Sequence, residues 1–193
     1  MTDSQRRLMQ YGVLSILLLI VGVAAGWIAH GLYSPPGRTT TVARFGSWTL
    51  SCPPYADPKA SCTMTLPIVE KASGVTFANL IMGRAPDGLK LAVTLPLSVY
   101  IAPGMALGIG SDAVHEYRYD TCTLQGCVTA IPLDEKMVNA LRGAKTARLE
   151  FMMPNKDNKP YSVSFAIDGF QSADDAFERD EGLRRSWFRR LWS

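Results

Sequence analysis

The chain has 193 residues, 47% hydrophobic and 19% charged, a balance that excludes an intrinsically disordered polypeptide. Its formal net charge is +3, yet residues 34–179 carry 14 Lys+Arg against 14 Asp+Glu, so the surplus sits at the two ends. A neutral body excludes the basic face of a nucleic-acid-binding domain.

The N-terminal residues 1–10 form a short polar tip. Residues 11–33, YGVLSILLLIVGVAAGWIAHGLY, hold no Asp, Glu, Lys or Arg. As a helix, such a stretch is roughly 35 Å long and spans a hydrocarbon core of about 30 Å. The run is longer than the apolar region of a cleaved signal peptide, and Trp27, Ile28 and His30 occupy the region where cleavage would fall. The expectation is an uncleaved single-pass anchor. Arg6 and Arg7 precede it, and only Arg38 follows closely. The positive-inside rule then places the N-terminus in the cytoplasm and the rest outside it, which for a bacterial protein means the periplasm. Gly22 and Gly26 form a GxxxG face, a candidate contact for a second membrane helix.

Residues 34–41, SPPGRTTT, read as a linker. The domain expected over 42–179 is mainly β. Val42–Cys52 is rich in strand formers, Cys62–Val69 alternates as a half-buried strand does, and Val75–Met82 and Leu89–Leu95 flank a turn at Pro86-Asp87-Gly88. Met105–Ile109 and Ala113–Tyr119 are further strand candidates, and Asp120–Ala130 is a cysteine-closed loop entering a strand. Asp134 caps a short helix, EKMVNALR, with Gly143 as its stop. Ala147–Met153 and Tyr161–Ile167 read as a hairpin. Many short strands with one or two short helices predict a β-sandwich or barrel-like sheet.

Four cysteines lie outside the apolar stretch: Cys52, Cys62, Cys122 and Cys127. An even count in an exported domain predicts two disulfides. Of the three connectivities, the local pairs Cys52–Cys62 and Cys122–Cys127 are the simplest. A zinc site is the rival, but neither pair combines C-x2–4-C spacing with a nearby histidine.

The end of the chain changes character. Over 172–193 a helical pattern spaces Leu183, Trp187 and Leu191 by four, with Phe188 and Trp192 beside them and arginines on the other side, while Arg184 intrudes on the apolar face. The tail 180–193 is therefore expected to be a basic amphipathic helix that contacts a bilayer or a partner through Trp187, Phe188 and Trp192.

No reaction chemistry emerges. The domain's one histidine, His115, adjoins Glu116 as a surface pair would, and neither a G-x-S-x-G nor an HExxH motif is present. Asp174 and Asp175 are adjacent, so as helical residues they point in different directions and read as helix N-terminal acids. No cofactor or metal site follows, and no small-molecule ligand is identified.

Phe45-Gly46-Ser47-Trp48, then Cys52 and Cys62, Cys122-x3-Gly126-Cys127, and Gly169-Phe170 followed by Ala173 occur in an order that resembles the invasion-associated locus B family of alphaproteobacteria. The likeness covers residues 42–177. It implies a periplasmic or surface-associated β-rich domain with the two local disulfides, tied in pathogenic members to host-cell invasion, with no catalytic residues to carry over and with Phe45, Trp48 and Phe170 as core or rim aromatics. Family members typically look secreted through a cleaved signal, whereas this chain keeps an anchor and adds a tail. The leading expectation is an accessory or assembly subunit of an inner-membrane protein complex. The alternative is an exported invasion or envelope-stress factor, and a small-ligand or thiol-redox role is a weaker third.

Overall fold

The structure, a computed structural model, describes residues 3–33, 40–54, 60–69, 74–154 and 159–185, with side chains of the first helix described over 12–27. That helix, α1, runs Asp3–Tyr33. Its described apolar side chains stand open, from Val13 at 55% exposed to Trp27 at 84%. A Cβ built at Gly22 or Gly26 would meet no atom within 4 Å. Among the described residues no helix is long and apolar enough to cross a membrane, so the expected single-pass anchor over 11–33 finds no support there.

Eleven strands follow among the described residues: β1 Thr41–Phe45, β2 Trp48–Cys52, β3 Thr63–Val69, β4 Thr76–Ala85, β5 Gly88–Leu95, β6 Met105–Ile109, β7 His115–Tyr117, β8 Thr121–Thr123, β9 Gly126–Pro132, β10 Thr146–Phe151 and β11 Tyr161–Ala166. Helix α2 spans Glu135–Gly143 and α3 spans Phe170–Arg185. Two antiparallel sheets form, in the orders β1-β2-β3-β4-β5-β9-β8 and β11-β10-β6-β7. The expected mainly-β fold is present. Among the described residues each sheet keeps two free edges, so the described strands form two open sheets rather than a closed barrel.

The stretch 42–52, read from sequence as one run of strand formers, is a hairpin. Phe45 pairs with Trp48, leaving Gly46-Ser47 as a two-residue turn, and Gly46 takes φ +56°. Such turns require left-handed backbone at a central residue. The Pro86-Asp87 turn joins β4 to β5, with Ala85 opposite Gly88, as expected.

One core lies between the sheets and α3. Side chains alternate along the strands, so Leu50, Met64, Leu66, Leu80, Met82, Leu91 and Val93 are buried while their neighbours are not. Phe77 of β4 meets Phe151 of β10 across the sheets, ring centroids 6.1 Å apart. Trp48 is fully buried, packs edge-on against Phe170 at 5.3 Å, and donates its indole N–H to Ile167 O at 3.3 Å. A buried Trp finds a partner for its polar handle in this way.

Helix α2 starts as expected, with the Asp134 carboxylate accepting from Met137 N at 2.7 Å, but Ala144, not Gly143, is its C-cap. Helix α3 buries Phe170, Asp174, Phe177 and Glu181 at helical spacing, with Ala173 beside them. Two of these are acids, and both are answered. Asp174 Oδ2 accepts from Arg142 Nε at 2.7 Å, and Asp175 Oδ1 lies 3.0 Å from the same guanidinium. Glu181 Oε1 accepts from Cys62 N at 2.7 Å and Ser61 Oγ at 2.9 Å. The reading of Asp174 and Asp175 as N-terminal acids is thereby corrected: the first turn of α3 has no acid, and both residues converge on Arg142 of α2. The Asp174 hydrogen bond is the main cause of a raised Arg142 pKa, which keeps the guanidinium charged.

The helix continues through position 180 into the region read as a separate tail. Arg184 is tied to the domain, donating to Asp180 Oδ2 at 2.7 Å and to the carbonyls of Pro53 and Pro54. Its place on the otherwise apolar face thus serves packing against the 53–54 loop. Leu183 faces outward at 41% exposed. Trp187, Phe188 and Trp192 lie outside the described residues.

Candidate functional site

Both disulfides are local. Cys52 and Cys62 join the ends of β2 and β3, Cα atoms 4.2 Å apart. Cys122 and Cys127 are opposite partners in the β8–β9 hairpin, 3.9 Å apart. No free cysteine remains, which removes a thiol nucleophile. The Asp180 carboxylate lies 3.0 Å from Cys62 Sγ, but a disulfide sulfur is not a thiolate, so Cys52, Cys62 and Asp180 do not make a metal-ligand set.

A cleft of about 910 Å³ lies between the β1–β2–β3 side of one sheet and the β11 edge of the other. A latch closes its base. Ser47 N donates to Asp168 O at 3.1 Å, and Ser47 Oγ donates to Asp168 Oδ1 at 2.5 Å. Gly169 sits at φ +81°, where a Cβ would come 2.2 Å from Phe45 O, so only glycine lets the two backbones approach this closely. Phe45, Gly46, Ser47, Trp48, Gly169 and Phe170, dispersed in sequence, therefore meet at one junction of the two sheets.

Above the latch the cleft opens. Leu66, Ile68, Phe77 and Phe151 supply apolar lining, and Arg44 brings the one formal charge among the described lining residues. Every residue from Tyr161 to Ala166 lines it too. Side chains alternate between faces along a strand, so six consecutive lining residues mean that the strand's backbone edge faces the cleft. The pairing pattern specifies which groups are presented. Ile167 N donates to Lys145 O, and this pair continues the β10–β11 register. In an antiparallel ladder hydrogen-bonded pairs alternate, so Tyr161, Val163 and Phe165 bond toward β10 while Ser162, Ser164 and Ala166 point N–H and C=O outward. Asp168 has the same outward parity, and its carbonyl is the one taken by Ser47 N. Among the described residues no strand pairs with the rest of this edge.

A second cavity of about 420 Å³ lies between β6–β7 and α2, lined by Asp112, His115, Tyr117 and Asp134 among others. Burial, then the Asp134 charge, raises the Tyr117 phenol pKa. Raised further, it is not an acid or base for neutral-pH chemistry. His115 makes no described bond to Glu116 and stands exposed.

The sequence-named residues that the structure describes do not gather at one place. Gly22 and Gly26 lie on α1, and the four cysteines form two separate staples. The β11 edge was missed, because the sequence shows the 161–167 strand but not which side of it stays unpaired. One signal was available: YSVSFA holds neither a charge nor a proline, the usual protections of an edge strand.

Fold and site define a disulfide-stapled protein of two open antiparallel sheets with an accessible strand edge and no assembled reaction centre among the described residues. A family profile described as "Invasion associated locus B (IalB) protein" matches residues 48–178, and the chain belongs to that family. Relatives include invasion protein B homologues of Brucella abortus strain 2308 and of Brucella abortus biovar 1 strain 9-941, each 27% identical over 148 residues, covering 75% of this chain and 83% of theirs. In fold, the chain is similar to the crystal structure of invasion associated protein b from Bartonella henselae, with TM-score 0.64 and 21% identity, over 74% of this chain and 99% of that one.

Proposed function

We propose that this chain is a membrane-tethered periplasmic interaction protein without enzymatic activity, an accessory or assembly subunit of an inner-membrane protein complex. The observation that carries the reading is the uncharged run of residues 11–33 within one continuous helix, α1, whose described apolar side chains have no covering. Such a helix needs a lipid or protein environment to remove its apolar surface from water. The Gly22–Gly26 face admits close approach by a second helix. Two disulfides suit an oxidising compartment outside the cytoplasm. Trp187, Phe188 and Trp192 offer a second contact with the bilayer or the partner.

The names of the Brucella relatives favour a second reading, an exported invasion-associated or envelope-stress factor. Cell fractionation with N-terminal sequencing separates the two. The tether reading expects the chain in inner-membrane vesicles with its N-terminal segment intact. Soluble periplasmic or surface protein beginning near Ser34 would establish the second reading instead.

A further inference from the structure

The geometry points to the β11 cleft as a strand-addition site: an extended segment of a partner polypeptide pairs with the outward N–H and C=O groups of Ser162, Ser164 and Ala166 and sets a carboxylate against Arg44. This inference deepens the interaction reading above and rests on it for the partner's existence, but it needs no membrane tether.

The argument starts from hydrogen bonding. Backbone donors and acceptors beside apolar walls have an unfavourable alternative to being paired, and a strand is the structure that answers a strand edge at each outward residue. The other three edges are less suited. Strands β7 and β8 have three residues each, and β1 has five, against six in β11. Short edges template little pairing. Within the chain the pairing has already begun, since Ser47 N takes the Asp168 carbonyl at the foot of the same edge. An incoming strand would continue that row upward for about 20 Å at the usual rise.

The lining gives the chemistry of the occupant. Leu66, Ile68, Phe77 and Phe151 take apolar side chains, which alternate along a strand. Arg44 has no ion-pair partner among the described residues, so an acidic residue in the segment is complementary to it. A second copy of this chain fits less well. An isologous pairing would bring an Arg44 from each copy to the same cleft, cation against cation.

The test uses the full chain in mild detergent and a random peptide library displayed on phage, followed by affinity measurements on the selected peptides. Ser164→Pro removes one outward N–H and no β10–β11 bond, so it should fold; Arg44→Glu reverses the cleft charge. Selected peptides should alternate apolar residues and carry an acid. Each substitution should weaken them by about tenfold, the effect of losing one hydrogen bond or ion contact that the bound peptide shields from water. On peptide addition, the amides of Ser162, Ser164 and Ala166 should gain hydrogen-exchange protection in the unsubstituted chain. That readout decides the matter if Ser164→Pro disturbs folding. Three results would overturn the inference: no selected peptide binds the cleft, binding persists unchanged in both variants, or Ser164→Pro abolishes self-association of the free chain, which would make a second copy the occupant. Loss of peptide binding with continued co-purification of a membrane partner would sink this site alone; the reverse outcome would sink the tether reading alone.

Discussion

Removing the Arg142 guanidinium should destabilise the domain far more than removing a surface arginine. Its partner Asp174 is 2% exposed, and Arg142 reaches Asp174 Oδ2 at 2.6 Å through Nη2 and 2.7 Å through Nε. Asp174 Oδ1 has no hydrogen-bond partner among the described residues, so the carboxylate depends on this one cation. Breaking a buried pair from one side costs about 3–5 kcal/mol, because the remaining charge stays desolvated. Arg142 is itself 33% exposed, so water reaches the vacated space and the lower end applies, about 3 kcal/mol. For a domain of this size that is a drop of about 6–12 °C in Tm. Thermal unfolding of Arg142→Ala by circular dichroism measures it. The paired change Arg142→Met with Asp174→Leu should regain most of the loss, since an apolar pair can replace a buried ion pair at little cost. A drop in Arg142→Ala of less than about 2 °C would refute the claim that α2 and α3 are joined by this contact.

Two further predictions follow from the staples and from Tyr119. Reduction should lower the unfolding temperature: on the chain-entropy view, Cys52–Cys62 contributes about 2–3 kcal/mol and Cys122–Cys127 about 2 kcal/mol. Unfolding curves insensitive to dithiothreitol would contradict a structural role. Burial pushes the Tyr119 phenol up to about 12, from its ordinary value of 10.0. The unfolded chain therefore ionises first, and stability that is complete below pH 10.0 is lost as pH rises toward about 12. Tyr119→Phe should make this alkaline loss shallower in a denaturant titration, and an unchanged slope would count against it.

Local chemistry was legible where it acts over short sequence distances. The Asp134 cap, the 86–87 turn, the β10–β11 hairpin and both disulfides join residues close in the chain. The β1–β2 hairpin was hidden because Gly46-Ser47 interrupts a run of strand formers without a strong turn pair. The buried face of α3 was hidden because Asp174 and Glu181 occupy apolar-looking positions, and their answers lie on α2 and beside Cys62. The latch is less legible still: Ser47 and Asp168 are 121 positions apart, and nothing local to either states that they meet. Strand parity at the cleft depends on that long-range geometry too, through the Ile167–Lys145 bond that phases β11.

Native purification of the full chain in mild detergent, with the mass of the eluting particle measured, tests the interaction reading most directly. The account predicts co-elution with a defined inner-membrane partner, weakened when residues 186–193 are deleted or when Gly22 and Gly26 are both replaced by Leu. Recovery of the full chain as a free monomer from native membranes, under conditions that preserve other inner-membrane complexes, would contradict it.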